Sequence, residues 1–262
     1  MRIYAVKGAA GKVKEWFGKG KGGRVVELKD WKGAKKKGGV VRVEIPVEEG
    51  CWERGEVKAC VEITDHRAVY PWEFPSLHSA LGIRFITTYT PTIAASPFSP
   101  PKPPITHTHL TMFTPHGVPS SGLLSYLIHL SPSPQTPEID LLLHPFTLTT
   151  MPQHLGGKIT LGIPNIAKLL ESGVRVRVVA SAHDEEKEVG GYVRSRIKTR
   201  RWGREEAERE IWRAALREVE GEGGGDPGHR EGKETASGGG VDKEILPEVW
   251  DMGNGEIREC VL

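Results

Sequence analysis

Proline and charge are distributed so unevenly along this chain that they limit what its middle third can fold into. The window 79–157 holds thirteen of the 19 prolines. Its only charged residues are Arg84, Lys102, Glu138 and Asp140. Because proline lacks a backbone donor and blocks helix interiors, the segments SPFSPPKPPI and SPSPQTP are predicted to be extended linkers. Only residues 121–130 and 139–146 are apolar enough for burial. We therefore interpret 79–157 as a Pro/Ser/Thr-rich, low-charge insertion, with translated noncoding sequence as the alternative hypothesis.

Ahead of this window, residues 41–78 carry the pattern of a small sheet. Residues 41–45 (VRVEI) and 57–63 (VKACVEI) alternate apolar and polar side chains, which is the period of strands with one buried face. Pro46, Gly50 and Gly55 mark a turn between them. The two segments are therefore predicted to form an antiparallel pair.

After the window, residues 158–220 return to a globular composition and are predicted to be a helix–strand–helix unit. Residues 165–172 suit a helix that stops at Gly173, and 174–182 alternate as a strand. A second helix is predicted over 204–220. Its apolar stripe consists of Ala207, Ile211, Ala215 and Val219. Residues 221–262 form a glycine-rich tail, in which KEILPEVW and GEIRECVL predict a short helix and strand.

The basic residues concentrate at the N-terminus. Residues 1–40 hold ten lysines and two arginines, interrupted by glycines, although the net charge of the chain is only +2. Each glycine costs about 1 kcal/mol of helix stability, so no long helix is predicted there. Two interpretations stay open: a solvated arm, or a nonspecific contact with phosphates or an acidic partner.

Cysteine content and hydropathy set the broad class. The cysteines Cys51, Cys60 and Cys260 are too few and too scattered for a disulfide framework or a zinc site. No run approaches the ~18 apolar residues of a membrane span, and the N-terminus has no apolar signal-peptide core. We predict a reduced compartment, cytoplasmic or nuclear, with no membrane association, no cofactor and no metal.

The segment 41–77 resembles the central sheet of ubiquitin-conjugating enzymes and their non-catalytic variant and RWD-type relatives. In that family an "EG-aromatic-x-x-G" turn joins two strands, and a "YP-x-x-P-P" element follows the third. The turn is matched by Glu49, Gly50, Trp52 and Gly55. The second element is matched by Tyr70, Pro71 and Pro75, with Phe74 at the first proline of the closing pair. The resemblance implies a protein-binding role for Trp52, Tyr70, Pro71 and Pro75 as structural landmarks.

The same resemblance implies a chain without conjugating activity. The family uses a cysteine soon after a His-Pro-Asn motif, and the closest match here is His144-Pro145-Phe146. Phenylalanine cannot donate a hydrogen bond to an oxyanion, and no cysteine lies between Cys60 and Cys260. We expect no catalytic residue, and a ubiquitin-like protein or its ligase as the partner.

A partial match to a second enzyme motif lies in the C-terminal helix. Residues 202–224 resemble the box of Nudix diphosphate hydrolases, whose carboxylates bind Mg²⁺. The positions in register are Gly203, Arg217, Glu218, Val219, Glu222 and Gly224. Arg209 and Gly221 stand where the box has glutamates, so only Glu218 and Glu222 would remain. The alternative is an ordinary solvated amphipathic helix.

Two further patterns concern metal and RNA. His107 and His109 share a face if they lie on a strand, and His116 follows, but no cysteine or carboxylate lies near them in sequence, so loop histidines are predicted. The passage LLESGVRVRV resembles the C-terminal domain of bacterial-type translation initiation factor three. That resemblance implies RNA contacts through Arg175, Arg177, Arg194, Arg196, Lys198, Arg200 and Arg201. A basic stretch over Arg194–Arg201 is equally typical of a solvated loop.

Together these patterns predict an α+β fold: an antiparallel sheet near 40–70, C-terminal helices and a proline-rich insertion between them. The function predicted first is non-catalytic protein binding in a ubiquitin-like conjugation setting. Small α/β RNA binding and degenerate diphosphate hydrolysis are the alternatives.

Overall fold

A computed structural model describes residues 2–16, 25–29, 31, 39–45, 55–67, 79–91, 103–130, 137–152, 154, 157–182, 194–221 and 246–252. Within them the protein is α+β, which confirms the predicted fold class.

The N-terminal region forms a small unit of two strands and one helix. Strand β1 spans Ile3–Val6, helix α1 spans Lys7–Trp16 and strand β2 spans Val25–Leu28. The two strands pair in parallel. A solvated arm, one of the two interpretations, does not describe this unit, because α1 forms despite Gly8 and Gly11. The other interpretation, contact with phosphates or an acidic partner, stays a prediction. The apolar side chains that hold it together are Ala5, Ala10 and Val25, with Ile3, Ala9 and Val13 packed against them. Such packing offsets poor helix propensity.

The remaining elements follow in chain order: β3 (Val40–Ile45), β4 (Gly55–Arg67), β5 (Ser79–Pro91), β6 (Ile105–Phe113), α2 (Ser120–Leu130), β7 (Glu138–His144), β8 (Thr147–Thr150), β9 (Lys158–Leu161), α3 (Gly162–Leu170), β10 (Arg175–Ser181), a 3₁₀ turn (Arg194–Arg196), β11 (Lys198–Arg201), α4 (Arg204–Gly221) and β12 (Glu248–Trp250).

Seven of these strands form one mixed sheet, in the order β12-β10-β7-β6-β5-β4-β3. Strands β3 to β6 are an antiparallel meander, which confirms the predicted pairing of 41–45 with 57–63. Strands β6, β7, β10 and β12 run parallel, each joined to the next through a helix. A smaller antiparallel sheet has the order β11-β8-β9.

The window 79–157 lies at the centre of the fold, which differs from the predicted insertion. It supplies β5, β6 and β7 to the middle of the large sheet, and α2 to the helical layer. Its prolines fall between the described elements, except Pro91 at the last position of β5. Proline is tolerated at strand ends, and the threonines and β-branched residues between the prolines favour strands. Of the two proline-rich segments, 96–105 and 131–137, only 103–105 and Pro137 are among the described residues.

The three later helices pack against one side of the large sheet. Leu127 of α2, Ile166 of α3 and Ile211 of α4 belong to one buried cluster with Met112 and Leu142 of the sheet. This cluster fixes which side of the large sheet the helices cover.

The C-terminal helices follow the sequence prediction closely. Helix α3 ends before Gly173, whose φ of 79° is the left-handed conformation that the stop requires. Helix α4 buries Ala207, Ile211 and Ala215 of the predicted stripe. Among the described residues, no helix is both long enough and apolar enough to span a bilayer.

Candidate interaction surface

The four residues singled out by the family resemblance lie outside the described residues. Trp52 falls between β3 and β4 in the sequence, and Tyr70, Pro71 and Pro75 fall between β4 and β5. Their binding role therefore stays a prediction. The strands on either side of them are described, and the side chains of these strands form a candidate site.

Pairing and alternation assign each side chain of β3–β6 to one of two faces. Paired residues of antiparallel strands share a face, and successive residues alternate between faces. The Thr64 hydroxyl lies 3.2 Å from the Tyr126 hydroxyl on α2, so the even-numbered residues of β4 face the helices. Odd-numbered residues face the other way. One row across that opposite face consists of Val43, Val61, Phe85 and His109.

The open face is defined here as the odd-numbered residues within 41–45, 57–63, 83–89 and 105–111. None of its residues is buried, and none belongs to the core cluster that the helices form on the other side. Its apolar members are Val41, Val43, Ile45, Val57, Ala59, Val61, Ile63, Ile83, Phe85, Tyr89 and Ile105. Ile45, Phe85 and Ile105 are 42%, 43% and 51% exposed. A contiguous exposed apolar patch of this kind marks an interaction surface.

The even-numbered side of the same strands shows the opposite polarity where it extends beyond α2. Apart from Val40 and Ile86, its partly or fully exposed positions are polar, among them Glu44, Glu56, Lys58, Thr88, Thr106 and Thr108. Lys58 pairs with Glu56 at 3.1 Å, and the hydroxyls of Thr88 and Thr106 lie 3.3 Å apart. A polar surface is stable in water without cover, whereas the open face is apolar and gains free energy when it is covered.

A polar group borders the open face where β6 meets β7. Asp140 accepts a hydrogen bond from the Leu110 backbone N–H at 2.7 Å through Oδ2. Its Oδ1 accepts one from Arg177 at 3.1 Å and lies 3.7 Å from His109 Nδ1. A carboxylate therefore replaces a backbone acceptor at this point of the sheet. The Arg177 guanidinium, 46% exposed, places a positive charge beside the apolar patch.

Of the three predicted loop histidines, His116 lies in a turn after β6, as predicted, whereas the other two lie on a strand. His107 and His109 lie on β6 and face the open side together, as their spacing requires. No carboxylate lies near them in sequence, but the fold brings Asp140 of the neighbouring strand to His109. No group of three or more histidine, cysteine, aspartate or glutamate residues in the described part of the chain could hold a metal ion.

Two other histidines are buried on the helix side of the sheet. His66 Nε2 lies 3.0 Å from the Thr64 hydroxyl, and its ring packs 4.2 Å from that of Tyr126. Burial lowers the pKa of His66 from 6.5 to about 4. Burial also raises the pKa of Tyr126 above its ordinary value, more than the hydrogen bond from Thr64 lowers it. Both side chains are therefore neutral near pH 7.

The His-Pro-Phe candidate lies in the second buried histidine site. His144 Nε2 lies 3.2 Å from the Gly162 carbonyl, so Nε2 carries the proton, and Nδ1 accepts from the Thr114 hydroxyl at 2.6 Å. Burial lowers the pKa of His144 to about 4, although the Gly162 carbonyl acts in the opposite direction. Phe146 is fully buried in the core. Cys60 is buried, and Cys51 and Cys260 lie outside the described residues.

The basic residues proposed for RNA contact are spread over several elements, and some already have carboxylate partners. Arg200 donates to Glu206 at 2.7 Å and lies 4.3 Å above the Trp202 ring. Arg201 lies 3.7 Å from Asp251, and Arg177 binds Asp140. Strand β11 is nonetheless exposed along its length. RNA binding stays a prediction.

The Nudix-like segment lies on and after α4. The side chains of Glu218 and Glu222, which would have to bind Mg²⁺, lie outside those described. Arg217 of the same segment pairs with Glu171 at 3.4 Å. Diphosphate hydrolysis therefore stays a prediction.

Comparisons of this chain with protein-family models, curated proteins and solved structures return no match. The open face is not predicted as a binding surface by the sequence. Its available signal was the alternation in VRVEI and VKACVEI, which gives β3 and β4 one apolar side each.

Proposed function

We propose that this chain is a non-catalytic protein-binding module whose open face binds a ubiquitin-like protein. The observation that carries the proposal is the apolar, partly exposed side of the β3–β6 meander, which takes no part in the core formed by α2, α3 and α4. Aromatic and aliphatic side chains on a rigid sheet lose little conformational entropy when a partner covers them.

The ionisable groups of the described residues favour binding over catalysis. The buried histidines are locked in structural hydrogen bonds, with Thr64 for His66 and with Thr114 for His144. The Cys60 thiol is buried, so it is poorly placed to attack a substrate. These features leave an apolar surface, bordered by Arg177 and Asp140, as the strongest candidate for a functional site.

The choice of partner comes from the sequence resemblance. The segment 41–77, which resembles the sheet of conjugating-enzyme-like domains, includes all of β4 and all of β3 except Val40, and both strands contribute to the open face. A ubiquitin-like protein is therefore the first partner to test.

The test compares two open-face variants with one matched control in a calorimetric titration against a panel of purified ubiquitin-like proteins. The variants are Phe85→Ser and Ile105→Ser, and the control is Ile128→Ser. Ile128 is 58% exposed but lies on α2, on the other side of the sheet. Burying the exposed part of Phe85 is worth about 1.3 kcal/mol, so its loss should weaken binding roughly tenfold.

The proposal expects a saturable titration with at least one member of the panel, weakened by both open-face variants and unchanged by the control. Absence of binding to every member, or equal weakening by Ile128→Ser, would overturn it. Binding of RNA that weakens steeply with salt and is indifferent to Phe85→Ser would favour the RNA alternative instead.

A further inference from the structure

Strand β3 is one edge of the large sheet. In the described part of the chain it pairs with β4 on one side and with no strand on the other. None of its residues is buried, and its six pairs with β4 run without a bulge. Free edges are usually protected by proline, a bulge or charged side chains, lysine above all. Strand β3 contains no proline, lysine or bulge, and its two charged residues, Arg42 and Glu44, are opposite in sign. The strand is therefore open to pairing.

The sequence of β3 restricts which strand fits that edge. Arg42 and Glu44 lie on the helix side, and Val41, Val43 and Ile45 lie on the open face. A second copy of β3 can pair antiparallel with the first about a two-fold axis through Val43. Arg42 then lies opposite Glu44 of the second copy, and Glu44 opposite its Arg42. On the open face, Val41 lies opposite Ile45.

Neighbouring registers of the same pair are unfavourable. A two-fold axis through Arg42 places two arginines opposite each other, and one through Glu44 does the same with two glutamates. Like charges directly opposite destabilise a strand pair, and opposite charges stabilise it. A slip by a single residue would place the apolar side of one copy against the polar side of the other. Of the registers centred on Arg42, Val43 or Glu44, the one centred on Val43 satisfies both conditions.

Arg42 is available for this pairing. It is 62% exposed, and its contact with Glu62 is long, at 3.7 Å. The other oxygen of Glu62 already binds Arg84 at 2.6 Å. Turning Arg42 towards Glu44 of a second copy therefore leaves no unpaired buried charge.

We propose that two copies of this chain associate through antiparallel pairing of β3 in the register centred on Val43. The two-fold axis is perpendicular to the sheet, so the two large sheets join into one and both open faces lie on the same side. The dimer presents them as one continuous surface. This inference stands on β3 alone and does not require the proposed ubiquitin-like partner.

Charge reversal on the full-length chain tests this register. The measurement is sedimentation equilibrium across a concentration series of the wild type, Arg42→Glu, Glu44→Arg and the double exchange Arg42→Glu/Glu44→Arg. Each single variant places like charges in both cross-strand pairs, so we expect its dimer to be weakened at least tenfold. The double exchange restores opposite charges and should return dimerisation to near the wild-type level. Arg209→Glu, an exposed charge reversal on α4, should leave it unchanged.

A wild-type chain that is monomeric at every concentration would overturn the proposal. So would a dimer that is indifferent to the single reversals, or a double exchange as weak as either single variant. Far-ultraviolet circular dichroism on each variant separates lost pairing from lost folding. A monomer that still binds a ubiquitin-like protein through Phe85 would refute the dimer and leave the proposed function standing, and a dimer without that binding would do the reverse.

Discussion

Acid should destabilise this protein through the two buried histidines before its carboxylates become protonated. His66 and His144 have pKa values of about 4 in the folded chain, lowered by burial from 6.5. Above pH 6.5 both are neutral whether the chain is folded or unfolded. Between pH 6.5 and 4 the unfolded chain binds a proton at each site and the folded chain does not. Stability is therefore lost as the pH falls through this window.

The size of the effect follows from the shifts. Each pKa unit corresponds to about 1.4 kcal/mol, so each histidine removes roughly 3 kcal/mol once the pH is below 4. At pH 5 the loss is about 2 kcal/mol for each site, or about 4 kcal/mol together. This is a large fraction of the ~5–15 kcal/mol that stabilises a typical domain.

Urea unfolding followed by tryptophan fluorescence at pH 7.5, 6 and 5 measures this loss. We expect the free energy of unfolding of the wild type to fall by about 4 kcal/mol over this range. The free energy of unfolding of His66→Gln, and likewise that of His144→Gln, should fall by about half as much, since each substitution removes one of the two histidines that bind a proton on unfolding. Both variants also start lower at pH 7.5, because packing is disturbed. His107→Gln, at an exposed position, should keep the wild-type pH dependence.

The reasoning would be refuted by a wild-type stability that is flat between pH 6.5 and 5. It would also be refuted if His66→Gln and His144→Gln both kept the full wild-type slope. In that case the protonation of other groups would cause the destabilisation.

Two further predictions concern stability at neutral pH, and urea unfolding checks both. A Cβ at Gly82 would lie 2.5 Å from the Thr64 hydroxyl oxygen, so Gly82→Ala should lower the free energy of unfolding by about 2 kcal/mol. A Cβ at Gly203 has nothing within 4 Å, so Gly203→Ala should be neutral. Equal losses for the two variants would contradict the packing argument. Asp140→Ala leaves the Leu110 backbone N–H without its acceptor and should cost roughly 2 kcal/mol. Asp140→Asn keeps an acceptor oxygen and should cost less, and the reverse order would count against the hydrogen bond.

Local patterns in the sequence were enough to place several elements. The alternation in 41–45 and 57–63 predicted β3 and β4, because apolar and polar residues that alternate with a period of two indicate a strand with one buried face. Gly173 predicted the end of α3, because the left-handed conformation there suits glycine. The stripe through Ala207 and Ile211 predicted α4. Each of these signals depends only on neighbours within one or two turns of chain.

The central position of 79–157 was not predictable in the same way. Low charge and frequent proline predict an insertion, but β5, β6 and β7 lie in the middle of the large sheet, and proline can be confined to the ends of strands and the segments between them. Likewise, Asp140 lies 30 residues from Leu110 in sequence, and only the pairing of β6 with β7 brings them together.

The sequence by itself determined that β3 and β4 each have one apolar and one polar side. Only the tertiary structure decided which side the helices cover, because that depends on how α2 crosses between β6 and β7. The Thr64–Tyr126 contact places the helices on the even-numbered side, and the apolar odd-numbered side is left as the open face. The position of β3 at the sheet edge is likewise set by the order of all seven strands. Strand order is a property of non-local pairing, which no local pattern in the chain encodes.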